Sequence, residues 1–91
     1  MKYSVQLTRT AAKELKKLDP QIARKVQEAL LQLEEDPRRP QTKKLHDANG
    51  LYGYRVGLGV RIIYRIQDKI LTVDVVRLGS HEGIYENLTR L

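Results

Sequence analysis

Val60-Arg61-Ile62-Ile63-Tyr64-Arg65-Ile66 is the run that decides the fold. It is dominated by β-branched and aromatic residues, which suit a pleated, buried surface. A period of two puts Ile62, Tyr64 and Ile66 on one face of a strand and Arg61 and Arg65 on the other. Gln67-Asp68-Lys69 then reads as a turn, and Ile70 to Leu78 as the returning hairpin partner, broken by Gly79-Ser80. Upstream, Leu51 to Val56 is a further strand, with Tyr52, Tyr54 and Val56 on one face and Gly53 and Arg55 towards the other.

The first half of the chain supplies the cover for these strands. Tyr3, Val5 and Leu7 alternate with Lys2, Ser4 and Gln6, which predicts an opening strand with one buried face. Thr8 or Thr10 can cap a helix carrying Ala11, Leu15 and Leu18 at helical spacing. Asp19-Pro20 ends that helix and opens the next, because Asp accepts from free amides at an N-cap and Pro fits the first helical position. Ile22, Val26, Ala29, Leu30 and Leu33 form the apolar stripe of the second helix, which should end near Asp36-Pro37. The polar stretch from Glu34 to Lys44, with two prolines, reads as a loop. Ile84, Leu88 and Leu91 fit one face of a short C-terminal helix. The expected order is β-α-α-β-β-β with that tail: an α+β fold with a helical hairpin on one face of a mainly antiparallel sheet. A one-faced sheet and two one-faced helices can bury only each other, which leaves the far sheet face free.

Composition narrows the function. With 91 residues the chain reads as a single domain over 1–91, able to bury roughly 60–65% of its unfolded surface. There is no Cys, which excludes disulfides, thiolate zinc sites and a cysteine nucleophile, and the two His are far apart in sequence. No run nears the ~20 apolar residues that cross a bilayer, and the alternating start lacks the apolar block of a secretory signal, so the expectation is a cytoplasmic protein without membrane contact. No cofactor and no metal are expected. GxSxG and Walker-type loops are absent, and Glu34, Glu35 and Asp36 form one helix-end run instead of a separated acid–base pair.

The net charge of +6 favours a polyanionic partner. Residues 1–45 hold eleven Lys or Arg against six acids, including Lys43 and Lys44. Any single helix lysine is adequately explained by solvation; as a group these cations could contact phosphates along a large RNA. Arg55 and Arg61 differ, because each sits among apolar or aromatic strand residues, where a charge is costly unless it meets solvent or a partner. For Arg55, edge exposure and a functional role weigh equally. Arg61, in the middle of the most apolar strand, points to function: a guanidinium there can hold a phosphate through two hydrogen bonds and stabilise a phosphorane-like transition state. After the last strand, His81 can exchange a proton near neutral pH, and Tyr85 offers a ring and a hydroxyl.

Several of these segments together resemble the RelE/ParE superfamily of toxins from type II toxin–antitoxin modules. They are Tyr3-Ser4-Val5, Ala12 to Leu18, Glu35-Asp36-Pro37, Lys44-Leu45, Tyr54-Arg55-Val56, Gly59 to Ile66, and Arg77-Leu78-Gly79-Ser80-His81-Glu82-Gly83-Ile84-Tyr85. The closing segment is similar to the ends of RelE and YafQ-like members. The resemblance implies a microbial-RNase-like fold and, for RelE-type members, an endoribonuclease (mRNA interferase) that cuts mRNA in the ribosomal A site. Cleavage there is metal-independent, by attack of the ribose 2′-hydroxyl, and inhibits translation. It also implies that Arg61 binds the scissile phosphate, that Arg55 is a basic residue of the preceding strand, and that Tyr85 contacts the base or aids 2′-hydroxyl activation. His81, near the chain end, would be the general acid. Lys43, Lys44, Arg65 and Arg77 are the expected RNA and ribosome contacts. Gly53 and Gly57 flank Arg55 where RelE commonly carries lysines. The implied partners are the ribosome with mRNA and an acidic, RelB-like cognate antitoxin covering the Arg61 face, with operator DNA reached only through the antitoxin. The alternative is a ParE-like DNA gyrase inhibitor that cuts nothing.

Overall fold

The computed structural model describes residues 2–45, 50–57 and 59–79. The elements run β1 (Ser4–Leu7), α1 (Arg9–Lys16), α2 (Pro20–Glu35), β2 (Thr42–Lys44), β3 (Leu51–Gly57), β4 (Val60–Gln67) and β5 (Thr72–Gly79). One five-stranded sheet has the order β1-β5-β4-β3-β2. All pairings are antiparallel except β1 with β5, where Ser4 lies opposite Thr72.

Local chemistry sets the helix ends. The Thr8 hydroxyl accepts from the Ala11 N–H at the start of α1 and donates to the Val76 carbonyl, tying the cap to β5. Asp19 accepts from the Gln21 N–H, with Pro20 at the first helical position of α2. Ala11, Val26, Ala29 and Leu33 then bury against Tyr54, Ile62, Tyr64, Val73, Val75 and Leu78 from the sheet. Burying a Leu or Ile side chain contributes about 1.5–3 kcal/mol, so this layer dominates the stability. The Tyr64 hydroxyl inside it donates to the Pro37 carbonyl at 2.6 Å, and burial raises the Tyr64 pKa.

Two sequence expectations need correction. The stretch from Glu34 to Lys44 is not all loop: α2 continues to Glu35, and Thr42–Lys44 forms β2, so the order is β-α-α-β-β-β-β. Nothing in Thr-Lys-Lys announces a strand; the unpaired edge of β3 recruits it, Lys43 lying opposite Gly53. Nor is the sheet face away from the helices wholly free. Leu51, Ile63 and Val76 are buried there, with Leu45 packed against them. Val76 falls on that face by plain alternation from Val73 and Val75, and the bulge between Ile63 and Tyr64 then returns Leu78 to the main core. The C-terminal helix expected through Ile84, Leu88 and Leu91 lies outside the described residues.

A clasp closes the end of the sheet where β1 starts. Arg38 donates to both Asp68 carboxylate oxygens at 2.9 and 2.8 Å and to the Tyr52 hydroxyl, and the Tyr3 hydroxyl donates to Asp68. These bonds hold the Asp68 carboxyl down at a pKa of about 2, Arg38 first and Tyr3 second among the causes, and the bond to Asp68 raises the Tyr3 pKa. The clasp joins the connection after α2, the turn after β4 and the start of β1, all far apart in sequence.

Candidate nucleic-acid interface

The strand register brings two arginines together. Arg55 on β3 lies directly opposite Arg61 on β4. The Leu45 N–H donates to the Leu51 carbonyl at 2.8 Å, so the backbone groups of Leu51, Gly53 and Arg55 point towards β2 and those of Tyr52 and Tyr54 towards β4. Arg55 and Arg61 therefore form a non-hydrogen-bonded pair, the kind in which facing side chains approach most closely. Like charges in that position cost stability, roughly 0.2–1 kcal/mol, unless an anion lies between them. Their side chains leave the sheet opposite Tyr54 and Ile62, which are in the helix-facing core, so both are on the far face. Arg55 is exposed and Arg61 half-buried.

β2 adds a third cation to that face. Lys43, exposed, sits opposite Gly53, next to Arg55 in the β3 sequence of that face. The glycines flanking Arg55 thus leave room for a lysine from the neighbouring strand. A hollow of about 650 Å³ opens here, lined by Gln41, Lys43, Gly53, Arg55 and Gly57 among others. Beside it, Val56 is bulged out of the β3–β4 register, and the strand turns at Gly57 and Gly59 with φ of +102° and +78°, values that a residue with a Cβ adopts only under strain. A bulge next to Arg55 re-aims its side chain relative to the sheet.

The remaining expected contacts are placed differently. Arg65 shares the far face two residues beyond Ile63, opposite Asp74 on β5. Lys44 is opposite Tyr52, whose ring packs towards the helices, so it lies on the other side of the sheet from the arginine pair. The Arg77 guanidinium grips Glu14 of α1: Nε to Oε2 at 3.1 Å and Nη2 to Oε2 at 3.0 Å, the two side chains 22% and 18% exposed. The Leu78 N–H also donates to that carboxylate. Arg77 thus anchors α1 to β5. Arg39 stacks on the Tyr54 ring, its guanidinium carbon 5.6 Å from the centroid, and the Tyr54 hydroxyl donates to Gln32. His81 and Tyr85 lie outside the described residues. Gln41 and Glu14 escaped the sequence reading: neither the left-handed backbone of Gln41 nor the distant partner of Glu14 leaves a local signal.

Two helices on a mixed five-stranded sheet, with facing arginines on the far side, define an α+β protein with a cationic sheet face. A family model described as the ParE toxin of the type II toxin–antitoxin system parDE matches residues 5–85. The chain belongs to that family, within the RelE/ParE superfamily of type II toxins. Among solved structures it is similar to the RelBE2 toxin–antitoxin complex of Mycobacterium tuberculosis at 34% identity, covering 89% of this chain and 93% of that one with a TM-score of 0.81. It is similar to a doubly substituted Escherichia coli RelE toxin in the free state at 25% identity, covering 99% and 97%, with a TM-score of 0.82. The archaeal RelE–RelB complex from Pyrococcus horikoshii gives 26% identity, 90% and 98% coverage, and a TM-score of 0.75. No curated protein matches the chain. No helix among the described residues is long and apolar enough to cross a membrane.

Proposed function

We propose that this toxin is a ribosome-dependent endoribonuclease that cleaves mRNA in the ribosomal A site and so inhibits translation. The observation carrying this reading is the direct opposition of Arg55 and Arg61 on the far sheet face, with Lys43 beside them. Two guanidiniums that leave the same sheet face from facing positions can take a phosphodiester between them, each offering a two-point grip on its oxygens.

In this reading the 2′-oxygen attacks the adjacent phosphorus as its proton passes to solvent water, the Tyr85 hydroxyl orienting the nucleophile. The phosphorane's extra negative charge is met by Arg55 and Arg61. The P–O5′ bond breaks, His81 protonates the departing 5′-oxygen, and the products are a 2′,3′-cyclic phosphate and a 5′-hydroxyl. His81 suits the acid role because an unperturbed imidazole titrates near pH 6.5. Lys43 and Arg65 add RNA contacts on the same face, while Lys44 on the other side and the clasped Arg77 are assigned to more distant ribosome contacts. The work of such an enzyme lies in the cytoplasm.

The partner is an acidic RelB-like antitoxin. Support comes from this chain's charge of +6 and from the similar toxins solved in complex with RelB-type antitoxins. Operator DNA is then contacted through the antitoxin. The gyrase-inhibitor reading draws on two observations: the family model that matches the chain is that of the ParE toxin, and Gly53 and Gly57 flank Arg55 where the resemblance to RelE would place lysines.

One experiment separates the two. Purified toxin is added to a translation reaction, mRNA ends are mapped by primer extension, and gyrase supercoiling is assayed alongside. Cuts within A-site codons with supercoiling intact support the ribonuclease. Intact mRNA with blocked supercoiling supports the inhibitor.

A further inference from the structure

β2 ends before β3 does. Its three residues pair with Tyr52, Gly53 and Tyr54, and beyond Thr42 the chain swings away at Gln41. Arg55 to Gly57 therefore runs past the end of its neighbour, and the hollow opens in the gap, with Gln41 and Lys43 on one wall and Arg55 and Gly57 on the other. The backbone N–H and C=O of Arg55 point into this gap, by the alternation that the Leu45–Leu51 hydrogen bond fixes. Gln41 has a φ of +80°. Glycine or asparagine adopts that left-handed conformation more cheaply, so a glutamine there carries a conformational cost that its side chain must justify. The Gln41 side chain is exposed and makes no hydrogen bond among the described residues.

We propose that the hollow receives the nucleobase adjoining the phosphate held by Arg55 and Arg61, and that Gln41 is the specificity-determining residue that reads its edge. This inference rests on the ribonuclease reading. A primary amide presents an acceptor beside a donor, so it meets a base edge at two points; adenine, through its N6 donor and N7 acceptor, is the usual partner of glutamine. Single-stranded RNA bases are splayed out and read on such edges. The hollow's volume of about 650 Å³ falls in the range of small-ligand sites. Lys43 supplies a further donor on the same wall, for the base's oxygens or its ribose.

The test uses Gln41→Gly and Gln41→Ala on ribosomes programmed with mRNAs that present every A-site codon. Cleavage is quantified codon by codon and normalised to the total. Both variants should lose discrimination at one codon position by between about 5-fold and about 150-fold, the worth of a two-point base contact. Gln41→Gly should also raise Tm by several degrees, because it relieves the left-handed backbone, so the loss of discrimination cannot come from misfolding. If both variants reproduce the codon spectrum of an active wild type, Gln41 is only a turn residue and the inference is wrong. If the wild type cuts no codon at all, the ribonuclease reading fails and the subsite falls with it.

Discussion

Replacing Glu14 with Ala should cost far more than its place on a short, basic helix suggests. The Glu14 carboxylate accepts from the Arg77 guanidinium and from the Leu78 N–H, with 3.0 Å contacts to each. Both partner side chains of the ion pair are about four-fifths buried, at 22% and 18% exposure. Removing one member of a fully buried pair costs roughly 3–5 kcal/mol, and orphaning a buried backbone N–H roughly 1–3 kcal/mol. Residual solvent exposure screens the ionic part, so Glu14→Ala is predicted to lose about 3 kcal/mol. In a domain of this size that lowers Tm by roughly 12–24 °C. Glu14→Gln keeps an acceptor for the amide and should lose only about 1 kcal/mol. Urea denaturation of the three proteins, followed by circular dichroism, gives the values. A Glu14→Ala protein within about 0.5 kcal/mol of wild type, the range of an ordinary surface change, would refute the view that Arg77 is a structural anchor.

Two further outcomes follow from the packing. Asp68 is held at about 2 when folded, against about 3.9 for a free Asp. A lowered folded pKa contributes stability that is complete above about pH 4 and is lost as pH falls towards 2. Asp68→Asn should flatten the dependence of the urea midpoint on pH across that window, and an unchanged slope would count against the Arg38–Asp68–Tyr3 clasp. Tyr64→Phe removes a buried donor from the Pro37 carbonyl and should cost about 1–3 kcal/mol in the same assay, because the acceptor stays in place without its partner.

The parts of the fold legible in the sequence are those written in local patterns. Asp19-Pro20 and Asp36 bound α2, and its stripe from Ile22 to Leu33 packs into the core as its spacing predicts. The alternation of Tyr52, Tyr54 and Val56, and of Ile62, Tyr64 and Ile66, identifies the helix-facing side, and hence the side that carries Arg55 and Arg61. What escaped is set by partners distant in sequence. β2 has no pattern of its own and exists through β3. The parallel pairing of β1 with β5 joins Ser4 to Thr72 across the whole chain. The bulge that returns Leu78 to the main core after Val76 breaks the very periodicity that sequence reading relies on. At the site, Arg55 and Arg61 are visible as misplaced charges, but their direct opposition depends on register. That Lys43 joins them while Lys44 does not is settled by one residue of pairing between β2 and β3.

The central claim is that Arg55 and Arg61 together grip a phosphodiester and stabilise its transition state. Single-turnover cleavage of A-site mRNA by Arg55→Ala, Arg61→Ala and the double variant addresses it most directly. Each single change should slow cleavage by about 10²–10³-fold, as loss of one preorganised charge donor does, and the double variant should fall well short of the product of the two, because both groups hold one phosphate. A double variant that folds and cuts at the wild-type rate would contradict the claim.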